Sequence, residues 1–261
     1  MADVIVIAGT ADARQIVAEL LKLDLKVAAT VTTRFGSELL YDSPNLEIFE
    51  GKLSSEGMAA MICETKAKCL VDASHPYAKE ASLNAIEACK ITGLPYIRYE
   101  RAQTQIDEVN VIRVKSFEDA AERAAQIEGN IFLATGSNSL EVFVKKIDNY
   151  KERLFVRVLP DSKIISKCEG MGLSANNIIA IKGPFSRELN IEMLRHCSAR
   201  VLVTKDSGDV GGTAEKLHSA HALGIPVIVV HRPEIDYTKK VSSIEEVLNF
   251  VSVSSVYGSK R

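Results

Sequence analysis

The stretch VIVIAGTADARQIVAELLK, residues 4–22, decides the fold of this chain. It begins with a short run of β-branched residues, which is typical of a buried strand, and continues through a Gly-Thr turn. Beyond the turn, Ile16 and Leu20 lie on one face of a helix. We therefore predict a strand at residues 4–8 and a helix at residues 11–22, which together begin a Rossmann-like βαβ unit.

Short β-branched runs and helical patterns alternate along the rest of the chain, as in parallel sheets covered by helices. This pattern predicts an α/β fold of two Rossmann-like domains with mostly parallel sheets and the active site in the cleft between them. The sequence turns polar near residues 102–107, so we expect a first domain at residues 1–104 and a second at residues 105–261. The boundary is soft, because no low-complexity linker marks it and the domains can share strands. A last helix at residues 243–251 is expected to pack on the body.

Composition narrows the class of protein. The 261 residues include 46% hydrophobic and 25% charged residues, the balance of a globular protein. A net charge of −2 argues against nucleic acid or an anionic membrane as a partner. The apolar run at residues 4–8 is too short for a signal or membrane segment, and the five cysteines form no CxxC pair. We therefore expect a cytoplasmic protein with reduced thiols, either a monomer or a weak homo-oligomer.

Several catalytic motifs are missing from the sequence. It contains no HExxH, Walker A or GxSxG motif, which disfavours a metalloprotease, a P-loop kinase or an α/β-hydrolase. His218 and His221 share one helix face, but the sequence offers no third ligand near them. We therefore expect no metal site.

The residues that can carry chemistry fall in loops that follow predicted strands. In an open parallel sheet such loops meet at one rim, where ligands bind. The segments are GTADAR at 9–14, TTRFG at 32–36, ASHPYA at 73–78, TGSNS at 135–139, GPFS at 183–186 and DSGDVGGT at 206–213.

The first of these loops favours a bound phosphate. Gly9 lets the backbone approach a phosphate group, and the following helix N-terminus supplies N–H donors and a positive dipole. Only one of the three glycines of a GxGxxG motif is present. A plain strand-to-helix turn capped by Thr10 fits the residues equally well.

The second loop indicates which dinucleotide would bind. NAD sites carry an acidic residue at the end of the second strand, where it binds the ribose hydroxyls. Here Thr33 and Arg34 occupy that place, and no acid follows until Glu38. An arginine with neighbouring hydroxyls suits a 2′-phosphate, so the pattern favours NADP over NAD. The alternative is a solvated loop arginine.

Two further strand ends carry candidate catalytic groups. His75 can touch a ribose or nicotinamide, or can simply hydrogen-bond the backbone. Lys205 and Asp206 precede a glycine-rich run, and burial with mutual contact can tune a proton donor there. The alternative for these two residues is an ordinary loop ion pair.

Taken in order, these segments resemble the precorrin-6A and cobalt-precorrin-6A reductases of cobalamin biosynthesis. The resemblance covers residues 3–235. The segments that carry it are AGTADAR at 8–14, DASHPYA at 72–78, RYER at 98–101, TGS at 135–137, GPFS at 183–186, KDSGDVGGTAEK at 205–216 and ALGIPVIVVHRP at 222–233. The first motif has Ala8 where the family more often has glycine, and the histidine motif has Ser74 and Tyr77 where it often has Thr and Phe.

The resemblance implies an enzyme that reduces the C18–C19 double bond of a tetrapyrrole, (cobalt-)precorrin-6A, by hydride transfer from NADPH and protonation. No metal is required for this reduction. The implied cofactor-binding residues are Gly9, Thr10, Ala11, Arg14, Thr33, Arg34, Ser74 and His75. Lys205 and Asp206 are the implied catalytic residues. The implied substrate-binding residues are Arg98, Arg101, Gly136, Ser137, Gly183, Phe185, Ser186, Ser207, Gly208, Gly211 and Gly212.

Three other functions stay open at this point. One is another NADP-dependent oxidoreductase that acts on a different conjugated anionic substrate. Another is a nucleotide-binding regulatory module without catalysis. A methyltransferase that uses S-adenosylmethionine is disfavoured, because such sites usually grip the ribose with a carboxylate after the second strand.

Overall fold

The computed structural model describes residues 1–32, 34–40, 42–101, 110–206, 208 and 212–257. The chain divides into two compact units. Unit 1 comprises Met1–Ala102 and Pro233–Arg261, and unit 2 comprises Gln103–Arg232. The division after Ala102 lies close to the expected boundary, but the C-terminal segment, which was expected in the second domain, belongs with unit 1.

Strands and helices alternate along the described residues. The strands are β1 (Val4–Ile7), β2 (Val27–Val31), β3 (Leu46–Glu50), β4 (Cys69–Asp72), β5 (Tyr96–Tyr99), β6 (Val111–Val114), β7 (Asn130–Leu133), β8 (Leu154–Val158), β9 (Ile178–Ala180), β10 (Ala199–Lys205), β11 (Val227–Val230) and β12 (Lys240–Val241). The helices are α1 (Ala11–Lys22), α2 (Arg34–Glu38), α3 (Ser55–Thr65), α4 (Lys79–Thr92), α5 (Phe117–Ala125), α6 (Leu140–Lys146), α7 (Tyr150–Arg153), α8 (Ser162–Gly170), α9 (Arg187–His196), α10 (Thr213–Ala222) and α11 (Ile244–Tyr257). Ser137–Ser139 forms a 3₁₀ turn.

The sheet of unit 1 has the strand order β3-β2-β1-β4-β5-β12, and its neighbouring strands are parallel. This is the order of dinucleotide-binding Rossmann sheets, with β12 as the sixth strand. In the register of β12, Lys240 lies opposite Arg98 and Val241 opposite Tyr99. This pairing explains why the C-terminal segment joins unit 1.

The core of unit 1 lies on both faces of its sheet. Val4 and Val6 of β1 point to one face, where they pack with Ile16 of α1 and with the apolar side of α11. Ile5 points to the other face and packs with Met58 and its neighbours on α3 and α4. Because β1 is covered on both faces, it reads as a continuous apolar run in the sequence.

The sheet of unit 2 has the strand order β9-β8-β7-β10-β11-β6, again with parallel neighbours. Its first five places repeat the order of unit 1. The sixth place is taken by β6, which precedes the other strands of unit 2 in the chain, whereas β12 follows the other strands of unit 1. One apolar core of unit 2 joins Phe132 and Leu202 of the sheet to Leu194 of α9 and Leu217 of α10.

The α/β prediction with parallel sheets is confirmed, but several short elements were not predicted, among them α2, α7 and β12. The helix α2 contains Gly36, a poor helix former, so its sequence favoured a loop. The strand β12 has only two residues and depends on pairing with a strand far away in sequence. None of the described helices is long and apolar enough to cross a membrane.

Candidate active site

The strand order of unit 1 reverses between β1 and β4, and a reversal of this kind forms the crevice in which dinucleotides bind. The loops after these strands contain Thr10 and Ala73. The Thr10 hydroxyl donates to the Ala73 carbonyl at 3.1 Å and accepts from the Ala13 amide at 3.0 Å. The Thr10 side chain therefore ties the two loops together and caps α1, which leaves backbone N–H groups as the donors for a ligand at this turn.

Gly9 leaves space beside the backbone in this crevice. Its φ of +153° is a conformation that residues with a side chain rarely adopt. Apart from its neighbours Ala8 and Thr10, no described residue has an atom within 4 Å of the position that a Cβ would take. The absence of a side chain thus leaves room for a phosphate to approach the backbone, and the turn fits a dinucleotide.

The remaining predicted cofactor residues of this rim lie on α1 and α2. Ala11 is the exposed first residue of α1, and Arg14 lies one turn further on. Both line a groove along α1 that also includes Ser43. Arg34 is the first residue of α2, at the carboxyl end of β2, while Thr33 lies outside the described residues.

An ion pair across this rim was not predicted. Asp12, in the first turn of α1, lies 2.6 Å from Arg101, which follows β5. Arg101 was predicted to bind substrate, but here its charge faces a carboxylate of the same rim. The pairing offsets a negative charge close to the helix N-terminus, where a ligand phosphate would lie.

A polar network of unit 1 is centred on Asp72, the last residue of β4, which is fully buried. Its carboxylate accepts hydrogen bonds from Ser82 Oγ at 2.6 Å, from Tyr96 OH at 2.9 Å and from Arg98 Nη1 at 2.9 Å. Arg98 is itself fully buried. Arg98, which was predicted to bind substrate, thus lies in the interior of unit 1, where its guanidinium contacts Asp72, Ser74 and Glu100.

This network fixes the loop that carries Ser74 and His75. The Ser74 amide donates to Asp72 Oδ1 at 3.0 Å, and the Ser74 hydroxyl accepts from Arg98 Nη1 at 2.9 Å. His75 Nδ1 accepts from the Tyr77 amide at 3.2 Å, so a neutral imidazole presents its Nε2–H as a donor. Two charged groups without solvent access thus hold the loop after β4 in place.

Unit 2 has an equivalent reversal between β7 and β10. The loop after β7 begins with Thr135, whose hydroxyl lies 2.7 Å from Ser139 Oγ. Gly136 has a φ of +84°, and Ser137 begins the 3₁₀ turn that follows it. The predicted residues Gly136 and Ser137 therefore lie at the rim of this second reversal.

At the end of β10, Asp206 is an anchoring residue of its loop. Its carboxylate accepts from the Gly208 amide at 3.1 Å and lies 3.6 Å from Arg232 Nε. Arg232 also donates to the Asp206 carbonyl at 3.1 Å. Both side chains are nearly fully buried, with 4% of Asp206 and 6% of Arg232 exposed. The alternative of a loop ion pair applies to Asp206, although its partner is Arg232 and not Lys205.

Two lysines lie close to this carboxylate. Burial lowers the pKa of Lys205 below its ordinary value. Lys216, in the first turn of α10, is more deeply buried, and this burial lowers its pKa to about 7, with a further lowering by the charges of Arg157 and Lys205. Asp206 opposes that shift. An ammonium group with a lowered pKa is suited to giving up a proton near neutral pH.

The GPFS loop lies next to a further buried cation. The ring of Phe185 stacks on the guanidinium of Arg157, with 4.4 Å from Cζ to the ring centre. A Cβ at Gly183 would lie 2.9 Å from the Phe185 ring, so a side chain at position 183 would displace this ring. Ser186 caps α9, because its hydroxyl accepts from the Leu189 amide at 3.3 Å. Its hydroxyl is thus used for the helix.

The glycine-rich loop after β10 is only partly described. Gly208 and Gly212 both have positive φ, at +72° and +64°, and α10 begins directly after Gly212. Ser207 and Gly211 lie outside the described residues.

Sequence reasoning missed Asp12, Asp72, Arg157, Lys216 and Arg232 as members of these rims. Two of them carried a usable signal. Arg157 interrupts the apolar strand LFVRV, and charges are rare in strands covered on both faces. Lys216 falls on the buried face of α10, between Thr213 and Ala220. Among the described residues, no group of three His, Cys, Asp or Glu side chains is placed to hold a metal ion.

Comparison with known proteins gives a consistent result. The chain matches the family model of precorrin-6x reductase CbiJ/CobK over residues 3–252. Cobalt-precorrin-6A reductase of Priestia megaterium is 40% identical over 247 residues, which are 94% of this chain and 96% of that protein. Cobalt-precorrin-6A reductase of Methanothermobacter thermautotrophicus is 40% identical over 238 residues, 90% of this chain and 78% of that protein.

A solved structure, CobK precorrin-6A reductase, has the same fold. Its TM-score is 0.81 at 23% sequence identity, and the match covers 97% of this chain and 98% of that chain. The two Rossmann-type sheets and the relatives together define an oxidoreductase. Within this class, the chain belongs to the precorrin-6x reductase family of cobalamin biosynthesis.

Proposed function

We propose that this chain uses NADPH to reduce precorrin-6A or cobalt-precorrin-6A to the corresponding 6B compound, a reaction at a CH–CH group. A hydride and a proton add across the C18–C19 double bond of the macrocycle. The observation that carries the proposal is the open turn at Gly9, at the reversal of a Rossmann sheet, in a chain whose relatives are named reductases of this substrate.

The residues of unit 1 would hold the cofactor. The backbone at Gly9 and the N-terminus of α1 are suited to the pyrophosphate, with Arg14 beside them. Arg34 stands where an acid would favour NAD, so it is our candidate for the 2′-phosphate. Ser74 and His75 are our candidates for contact with the nicotinamide. When bound, NADPH supplies the hydride.

Lys205 is our candidate for the proton donor. It lies at the carboxyl end of β10, and burial lowers its pKa, which makes proton release easier than from an exposed lysine. Asp206 would act as a positioning residue, because its carboxylate is engaged by Gly208 and Arg232. In this scheme unit 1 binds the cofactor, while unit 2 supplies the proton and the contacts to the tetrapyrrole.

The test is NADPH oxidation by the purified protein, followed by the loss of NADPH absorbance. Precorrin-6A and cobalt-precorrin-6A are offered in turn as substrates. We expect turnover of at least one macrocycle and a much lower rate with NADH. NADPH binding without turnover of either compound would favour another conjugated anionic substrate. Failure to bind NADPH at all would overturn the proposal.

A further inference from the structure

Arg157 is a buried cation without a carboxylate partner in the part of the chain that the structure describes. Only 9% of the residue is exposed. Its Nη1 donates to the amide oxygen of Asn190 at 2.7 Å, and its guanidinium lies against the rings of Phe185 and Phe132. An amide oxygen and aromatic faces solvate a guanidinium only in part, so its burial is costly in the absence of an anion.

A second buried cation lies near it. Lys216 is 6% exposed, and the charge of Arg157 acts on it strongly enough to lower its pKa. It lies in the first turn of α10, where the helix dipole adds positive potential. The described carboxylate that acts on Lys216 is that of Asp206, which also faces Arg232. Folding therefore brings together positive charges that repel each other.

Such an arrangement is typical of a site that is completed by a ligand. Two fixed cations gain an anion at little further cost, because the protein has already removed them from water. A guanidinium offers parallel N–H donors that match a carboxylate, and Nη1 is the one nitrogen that donates to the described residues. The Phe185 ring adds a flat apolar surface at the same place.

We propose that Arg157 and Lys216 form a binding site for one carboxylate of the tetrapyrrole substrate. The identity of the tetrapyrrole rests on the proposed function above. The site itself requires only a carboxylate attached to a large conjugated ring. Phe185 packs on the guanidinium, and Gly183 allows the ring to lie there.

The experiment compares Arg157→Met with Arg157→Lys. Methionine keeps the length of the side chain between the two rings but removes its charge, whereas lysine keeps the charge. The probe is uroporphyrin III, a tetrapyrrole with carboxylate side chains, whose dissociation constant is read from its own fluorescence. We expect Arg157→Met to weaken its binding by about tenfold or more and Arg157→Lys to retain part of it. The Kd for NADPH should stay unchanged in both variants.

The matched control is Arg195→Met, which removes an exposed arginine of the adjacent helix α9. It should leave both dissociation constants unchanged. Thermal unfolding adds a readout that separates a ligand site from a structural ion pair. Loss of a ligand-site cation should leave the Tm of the protein without ligand unchanged or raised, whereas loss of a structural pair would lower it. If Arg157→Met does not fold, Lys216→Met takes its place with the same expected results.

Several outcomes would overturn the proposal: no binding of uroporphyrin III by the wild-type protein, equal binding by the wild type and Arg157→Met, or a loss confined to NADPH. Failure of the proposed function looks different. The wild type would then bind uroporphyrin III with the expected dependence on Arg157 but would oxidise no NADPH with either precorrin.

Discussion

The two strand-order reversals share one topology but differ in how they handle buried charge. In unit 1, Asp72 and Arg98 are both fully buried, and they face each other within a network that gives the carboxylate several donors. In unit 2, Arg157 and Lys216 are buried near each other, and the nearby described carboxylate, Asp206, is shared with Arg232. The comparison teaches that one sheet order can build either a rigid, charge-balanced platform or a site with excess positive potential.

The largest expected effect concerns the buried charges Asp72 and Arg98 of unit 1. Asp72→Ala should lower the free energy of unfolding by about 3–5 kcal/mol, because it removes the closer of the two carboxylates that pair with the buried Arg98 guanidinium. Urea unfolding of the purified variant measures this. Asp42→Ala, at an exposed position of the same unit, serves as the control. The double variant Asp72→Leu with Arg98→Met should be more stable than Asp72→Ala, and the comparison fails if Asp72→Ala costs no more than Arg157→Met.

The next largest effect concerns the roles of Lys205 and Asp206 of unit 2 in catalysis. Lys205→Met should lower kcat by roughly 100-fold or more, because the proton then has to come from water, while the Kd for NADPH changes little. Asp206→Ala should lower kcat together with stability, since its loop loses the contacts to Gly208 and Arg232. Turnover and NADPH binding measured on both variants separate the roles. Full turnover in Lys205→Met would assign the proton to another donor.

A third prediction concerns the pH dependence of stability that Lys216 of unit 2 causes. The folded-state pKa of Lys216 is lowered to about 7 from the value of 10.5, so between these pH values the unfolded chain binds more protons than the folded one. The stability contributed by this group therefore rises with pH, by about 2 kcal/mol between pH 7 and pH 9. Among the described residues, the charges of Arg157, Lys205 and Asp206 act on the pKa of Lys216.

The measurement is the difference in unfolding free energy between the wild type and Lys216→Met at both pH values. Subtracting the variant removes the contribution of other titrating groups. Lys216→Met should gain stability relative to the wild type at pH 7 and lose about half of that advantage at pH 9. A difference that does not change with pH would show that folding does not lower the pKa of Lys216.

Much of this contrast could not be predicted from sequence. The run from Val4 through Gly9 to Leu20 indicated the strand, the turn and the helix, since these depend on neighbouring residues. The contacts of individual side chains could not be predicted in this way, because they depend on partners far away in the sequence. Arg98 was predicted to contact substrate, but its carboxylate partner Asp72 precedes it by 26 residues and belongs to another strand. Thr10 was likewise among the residues that the resemblance implied for the cofactor, whereas its hydroxyl donates to the Ala73 carbonyl and caps α1.

The smallest expected effect concerns the choice between NADPH and NADH in unit 1. If its balanced network serves only to position the cofactor loops, then selectivity for the 2′-phosphate has to come from a residue outside that network, and Arg34 is our candidate at the carboxyl end of β2. Arg34→Ala should raise the Kd for NADPH by about tenfold and leave the Kd for NADH nearly unchanged, because only NADPH carries the phosphate. Fluorescence titration of both cofactors gives the two constants. Arg14→Ala provides the contrast, since a pyrophosphate contact should weaken both cofactors alike. Equal losses for NADPH and NADH in Arg34→Ala would refute its role in selectivity and would assign that residue to a part of the dinucleotide that both cofactors share.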